Sequence, residues 1–223
     1  MLGTLYIVAT PIGNLEDITL RALKTLKEVD LILAEDTRVT SILLKHYDIK
    51  VSVLSYHQHS KDGTKLRILS ELLAGKNLAL VTDAGTPGIS DPGNELIDFI
   101  LEKEPTVKVV PIPGPTAITT ALSASGFRVN SFVFLGFLPK KKRIKLFNWL
   151  KDGEISFAFY ESPNRILKTL DALVESFGEG RRVLVARELT KLYETLYRGT
   201  ISEVKLQLEK QKVRGEMVVV VEG

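Results

Sequence analysis

Three unbroken apolar runs, Leu5-Tyr6-Ile7-Val8-Ala9, Leu31-Ile32-Leu33-Ala34 and Leu78-Ala79-Leu80-Val81, constrain the fold of this chain most. They are too short for buried helices and lack the polar alternation of a strand with one face in water, so they read as strands buried on both faces. Val51-Ser52-Val53-Leu54 and the stretch from Val107 to Ile112 complete a set of five. Helical patterns separate them: Ile18, Ala22, Leu26 and Val29; Val39 to Tyr47; Lys65 to Leu73, closed by Gly75; and Glu95 to Glu102. Strands alternating with helices predict a parallel sheet covered on both faces.

The second half has a different rhythm. Pro111-Ile112-Pro113-Gly114-Pro115 is a stiff connection, and a domain boundary is expected there, giving domains 1–112 and 113–223. Beyond it, strands are predicted at Phe132–Phe137, Ile155–Tyr160, Val183–Ala186 and Met217–Val221, with an antiparallel addition near Tyr193 to Arg198. Helices are predicted at Lys141–Leu150, Asn164–Phe177 and Glu203–Lys210. The expected class is two α/β domains, a parallel Rossmann-like N-terminal sheet and a mixed-sheet C-terminal domain.

Composition excludes some chemistry. The 223 residues contain no cysteine, so disulfides, thiolate nucleophiles and thiolate metal sites are ruled out. The apolar N-terminal run continues into Thr10-Pro11-Ile12-Gly13 and reads as a first strand rather than a signal peptide, and no apolar stretch reaches membrane-spanning length. A cytoplasmic protein is expected. The net charge of +3 permits contact with nucleic acid without requiring it.

In a parallel sheet, ligands gather at the carboxyl ends of the strands. The unusual segments fall there: Thr10-Pro11-Ile12-Gly13-Asn14, Glu35-Asp36-Thr37-Arg38, "TDAGTPGISDPG" at 82–93, and Pro113-Gly114-Pro115-Thr116-Ala117. One such loop is an ordinary turn; four on one edge predict a pocket. Neither G-x-G-x-x-G nor a P-loop pattern occurs, and the 82–93 loop has no lysine or arginine to neutralise phosphate. Its main-chain groups, hydroxyls and carboxylates suit a ligand with an amino group, an adenine edge or a positive centre. His57 and His59 lack an evident third ligand, so no metal is expected. Lys140, Lys141, Lys142 and Arg143 form a solvated face or a contact to phosphate backbone. Arg165 and Arg187 follow predicted strand ends and add to the basic groups that hold a polyanion.

Six segments in register, "VATPIGNLEDIT", "AEDTR", "TDAGTPGISDPG", "PGPTA", "FYESPNR" and "ARELTK", resemble the ribosomal RNA small subunit methyltransferase I family of the tetrapyrrole-methylase-like superfamily. The resemblance implies S-adenosylmethionine-dependent 2′-O-methylation of a cytidine ribose at the decoding centre of 16S ribosomal RNA. It implies a homodimer, RNA or the small ribosomal subunit as partner, and the cofactor in a cleft between the domains. Carried over by motif, the cofactor positions are Pro11, Asp83, Thr86, Ile89, Thr116, Ala117, Tyr160 and Leu189, with Gly85 letting main chain approach the ligand. A general base would help the ribose hydroxyl. The candidates are Glu188, Lys191 if its pKa is lowered, and Asp36; the competing reading makes Glu188 and Asp36 structural ion pairs. Arg165, Arg187 and Lys191 would mainly position RNA. Two other functions remain open: a small-molecule tetrapyrrole methyltransferase, which would have no use for residues 140–143, and a non-enzymatic ribosome-assembly factor, which would not bind the cofactor.

Overall fold

The computed structural model describes residues 1–139 and 143–223, so Lys140, Lys141 and Lys142 lie outside the described residues. The chain folds as two compact units, Met1–Thr116 and Ala117–Gly223.

The first unit holds strands β1 (Thr4–Val8), β2 (Leu31–Ala34), β3 (Ser52–Ser55), β4 (Leu78–Val81) and β5 (Lys108–Ile112). They pair in parallel in the order β3-β2-β4-β1-β5. Helices α1 (Leu20–Glu28), α2 (Thr37–His46), α3 (Asp62–Leu73) and α4 (Asn94–Lys103) cover it. Alternate strand residues separate into two cores. Val8, Ile32, Ala79 and Val81 pack with Leu26 of α1 and Leu43 of α2. Leu5, Ile7, Leu33 and Leu80 pack with Leu72 of α3 and Leu96 of α4. Continuous apolar strands are thereby explained, because both faces of the sheet are roofed by helices.

Local chemistry sets the helix starts. Thr19 Oγ1 accepts from the Ala22 amide at 3.1 Å and caps α1, an interaction whose removal typically costs about 1 kcal/mol. A 3-10 turn at Leu15–Asp17 precedes it, and α1 itself begins at Leu20, two residues after the Ile18 that opens the expected pattern. Asp36 caps α2, which therefore begins two residues before the expected Val39.

The second unit holds α5 (Ala117–Ser123), β6 (Phe132–Phe137), α6 (Arg143–Asp152), β7 (Ser156–Glu161), α7 (Ile166–Phe177), β8 (Arg182–Arg187), β9 (Thr195–Thr200), α8 (Ile201–Glu209) and β10 (Met217–Val221). The sheet order is β6-β7-β10-β8-β9, with β6 and β7 parallel and the other pairs antiparallel. All five residues of the central strand β10 are buried. Phe147, Phe157 and Phe159 anchor the core beneath α6 and α7. The expected parallel sheet and mixed sheet are both present. The sequence reading missed α5, which packs against β10 and β7 directly after the proline-rich connection. Among the described residues no helix is long and apolar enough to cross a membrane.

Candidate functional site

The four loops singled out by sequence sit at the carboxyl ends of β1, β2, β4 and β5, and hydrogen bonds knit them together. Thr10 and Gly85 exchange both main-chain hydrogen bonds, at 2.9 and 3.1 Å, in an isolated antiparallel bridge. The Thr10 hydroxyl donates to Thr82 O at 3.0 Å. Thr86 Oγ1 donates to Pro115 O at 3.4 Å, joining the loop after β4 to that after β5. The Asp36 amide donates to Asp83 Oδ1 at 3.0 Å, bringing in the loop after β2. Gly85 has φ +82°, a left-handed conformation that side chains resist. At Gly114 the constraint is space: a Cβ there would stand 3.0 Å from the Ala9 Cβ.

Ile89 projects from this rim with 48% of its surface exposed. The Thr82 hydroxyl is buried without a protein partner among the described residues. Burial first, then the Asp83 carboxylate, raises the Glu35 pKa above its ordinary value. Asp36 is held the other way. Arg38 chelates it, with Nη2 2.6 Å from Oδ2 and Nε 3.0 Å from Oδ1, and its pKa falls to about 2. Asp36 is therefore a helix cap and ion-pair partner, and a weak proton acceptor. The sequence reading passed over Glu35 one position away, because desolvation of Glu35 and the Arg38 hydrogen bonds to Asp36, not residue type, separate the two carboxylates.

In the second unit, Glu188 and Thr190 both adopt left-handed backbone, φ +50° and +65°, on either side of buried Leu189. Such angles are costly for residues with a Cβ and persist only where surroundings impose them. Here the Glu188 amide donates to Glu216 O at 2.9 Å, and the Glu216 amide returns to Glu188 Oε1 at 2.9 Å. Lys191 Nζ lies 3.1 Å from Glu188 Oε1 and 2.7 Å from Glu216 Oε2. Burial alone would raise the Glu188 pKa, but the Glu216 amide and Lys191 outweigh it and lower it. Burial would lower Lys191, but Glu216 and Glu188 outweigh it and raise the pKa. The lowered pKa that a lysine base requires is thus not present. The direct ion-pair partner of Glu188 is Lys191, and the Arg187 charge adds a smaller contribution.

The arginines are positioned by a network that sequence did not reveal. Glu161, its side chain fully buried, accepts from Thr169 Oγ1 at 2.7 Å and from the Ser162 amide at 2.9 Å. Arg165 Nε lies 3.2 Å from Glu161 Oε1, and its Nη2 donates to Leu138 O at 2.7 Å. Arg143 Nη1 donates to the same Thr169 hydroxyl at 2.7 Å. Arg165 thus forms an ion pair with this buried carboxylate, and Arg143 is linked to it through the Thr169 hydroxyl. The signal was present: Glu161 ends an otherwise apolar strand. Arg187 stands apart, its Nε donating to Arg214 O at 2.7 Å. Tyr160 packs edge-on against Phe134 and at a tilt against Phe137, with centroids 5.2 and 5.3 Å away. Among the described residues no group of three or more His, Asp or Glu side chains is assembled for a metal ion.

A parallel sheet in the order β3-β2-β4-β1-β5 followed by a mixed five-stranded sheet defines a two-domain α/β class shared with known methyltransferases. The crystal structure of the methyltransferase CobJ superimposes with a TM-score of 0.74 at 19% identity, covering 99% of this chain and 94% of that one. The family model described as Tetrapyrrole (Corrin/Porphyrin) Methylases matches residues 4–205. A Thermotoga maritima protein named ribosomal RNA small subunit methyltransferase I is 48% identical over 223 residues, covering 100% of this chain and 99% of the relative. A Bacillus subtilis protein of the same name is 49% identical over 225 residues, covering 100% of this chain and 76% of the relative. The chain belongs to the tetrapyrrole methylase family and, within it, to the ribosomal RNA small subunit methyltransferase I group.

Proposed function

We propose that this protein methylates the 2′-hydroxyl of a cytidine ribose in 16S ribosomal RNA, at the decoding centre, using S-adenosylmethionine. The interlocked rim around Gly85 carries the reading. It presents main-chain groups and an exposed Ile89, and its 82–93 loop has no lysine or arginine. Such a lining fits a cationic methyl donor with an amino acid tail and an adenine edge better than a phosphate. Pro11, Asp83, Gly85, Thr86, Ile89 and Thr116 are the positions in this unit proposed to hold it; the motif resemblance adds Ala117, Tyr160 and Leu189. The names of the relatives support ribosomal RNA as substrate. The motif resemblance supports the cytidine 2′-hydroxyl and a cytoplasmic homodimer.

When bound, the donor supplies an electrophilic methyl group on a sulfonium. The chain's own task is alignment and exclusion of water, which can supply much of such an acceleration. A rim fixed by main-chain hydrogen bonds, as between Thr10 and Gly85, suits that task. Arg143, Arg165 and Arg187, with the basic run 140–142, are proposed to hold RNA phosphates. Glu188, ionised and beside Lys191, is the proposed acceptor for the ribose proton; Asp36, with a pKa of about 2, is the weaker candidate.

The test uses small ribosomal subunits from cells lacking this protein, labelled donor and nucleoside mass mapping. The expected result is one new 2′-O-methylcytidine. A chain that shows no calorimetric binding of S-adenosylmethionine would instead be a non-enzymatic assembly factor. Donor binding with methylation of a tetrapyrrole and none of RNA would also overturn the reading.

A further inference from the structure

The first unit contains a cavity that none of the proposed donor positions lines. It has a volume of about 330 Å³, at the lower end of small-molecule sites. Tyr56 and Gln58, just after β3, form one wall; Gly88 and the segment from Ser90 to Glu95, running into α4, form the other. The donor positions proposed on the same loop, Asp83, Gly85, Thr86 and Ile89, are absent from its lining. The loop after β4 thus lends residues both to the proposed donor seat and to this cavity.

The cavity wall is preformed. Asn94 Nδ2 donates to Gly88 O at 2.8 Å, and the Gly88 amide donates to Pro92 O at 3.2 Å. Asn94 Oδ1 is left as an acceptor. Tyr56 is the decisive residue. It is only 2% exposed, and its hydroxyl has no protein partner among the described residues. Unlike Thr82 Oγ1, the Tyr56 hydroxyl is not a sealed atom, so it is a donor open to a ligand in the cavity. Burial first, then the charge of Glu95, raises its pKa, so it is a neutral donor at physiological pH. The remaining polar groups are the Ser90 hydroxyl, amides and carboxylates; Glu95 Oε1 lies 3.5 Å from Gln58 Nε2 and its Oε2 3.5 Å from Lys65 Nζ, both long contacts that leave the carboxylate able to accept. No lysine or arginine lines the space, which disfavours a phosphate. Carboxylate and amide acceptors select a ligand with an exocyclic amino group over one with a carbonyl, as when Asp or Glu accepts from the cytosine amine.

We propose that this cavity receives the base of an extruded cytidine, its exocyclic amino group on Glu95 and its ring acceptors toward the Tyr56 hydroxyl. The inference rests on the reading above that RNA is the substrate. Enzymes that act on a nucleotide within structured nucleic acid commonly swing it into a pocket and read its base-pairing edge there. A base held there would leave its ribose beside the loop that carries the proposed donor positions.

Tyr56→Phe and Glu95→Ala test this in the full chain. Tyr56→Phe removes only an unpartnered hydroxyl, so its melting temperature should match wild type. With undermethylated small ribosomal subunits as substrate, each variant should lower kcat/KM about tenfold, the worth of one hydrogen bond, with calorimetric affinity for S-adenosylmethionine unchanged. Wild-type kcat/KM in both variants overturns the proposal. So does a fall in kcat/KM that tracks a fall in donor affinity, which would make the cavity a prop for the loop. Wild-type protein that binds the donor but labels no RNA overturns the parent reading, and this inference with it.

Discussion

Glu35 and Asp36 are adjacent carboxylates with opposite behaviour, one raised and one lowered to about 2. The consequence for stability follows from sign. A carboxyl whose folded pKa is raised contributes stability that is full below its unfolded value, roughly 4.3 for Glu, and lost as pH rises through the folded value. At neutral pH the charged Glu35 therefore works against the fold. Glu35→Gln keeps an acceptor and removes the charge. Its melting temperature should exceed wild type at pH 7 to 8, and the gain should vanish below about pH 4. A gain that persists in acid would mean that the charge is not the cause. Asp36 behaves in the reverse sense: its contribution is present above about pH 4 and fades as pH falls through about 2. Sequence displayed both residues in "AEDTR" but not their difference. The cap role of Asp36 was legible from its place before Thr37; the burial of Glu35 depends on the loop 47 residues later that reaches Asp83 back to the Asp36 amide.

At the scale of elements, the parallel strands were readable because burial on both faces leaves an uninterrupted apolar run. The mixed unit was readable for the same reason at β7, β8 and β10. The short helix α5 escaped because a proline-rich connection precedes it and its apolar face makes sense only against β10 and β7. The edge strand β9 was expected two residues early, since an edge strand has polar positions and its register is set by β8, from Arg182↔Thr200 to Arg187↔Thr195. The strand β7 ends on Glu161, whose buried carboxylate links α7, through Thr169 and Arg165, to Arg143 at the start of α6. Glu161→Gln should destabilise the protein by about 2 kcal/mol in chemical denaturation, because a buried charge-assisted network loses its anion. The same variant should weaken RNA binding, as Arg165 and Arg143 lose their anchor. Unchanged RNA affinity would show that these arginines do not touch the substrate.

At the scale of the whole molecule, a net charge of +3 is modest, so RNA affinity must come from local clustering. Replacing Lys140, Lys141, Lys142 and Arg143 with alanine should weaken RNA binding and flatten its dependence on salt, by roughly 0.7 to 0.9 in the logarithmic slope for each phosphate no longer neutralised. Binding of S-adenosylmethionine should be unaffected. An unaltered slope would make that run a solvated surface. The reciprocal bridge between Thr10 and Gly85 has its own outcome. The loop after β4 is pinned to the end of β1, the strand that lies between β4 and β5. The amide protons of Thr10 and Gly85 should therefore exchange with deuterium as slowly as those inside the sheet, despite the glycine-rich character of their surroundings. The seat proposed for the methyl donor is then standing before any ligand arrives, and its arrival should protect few further amides there.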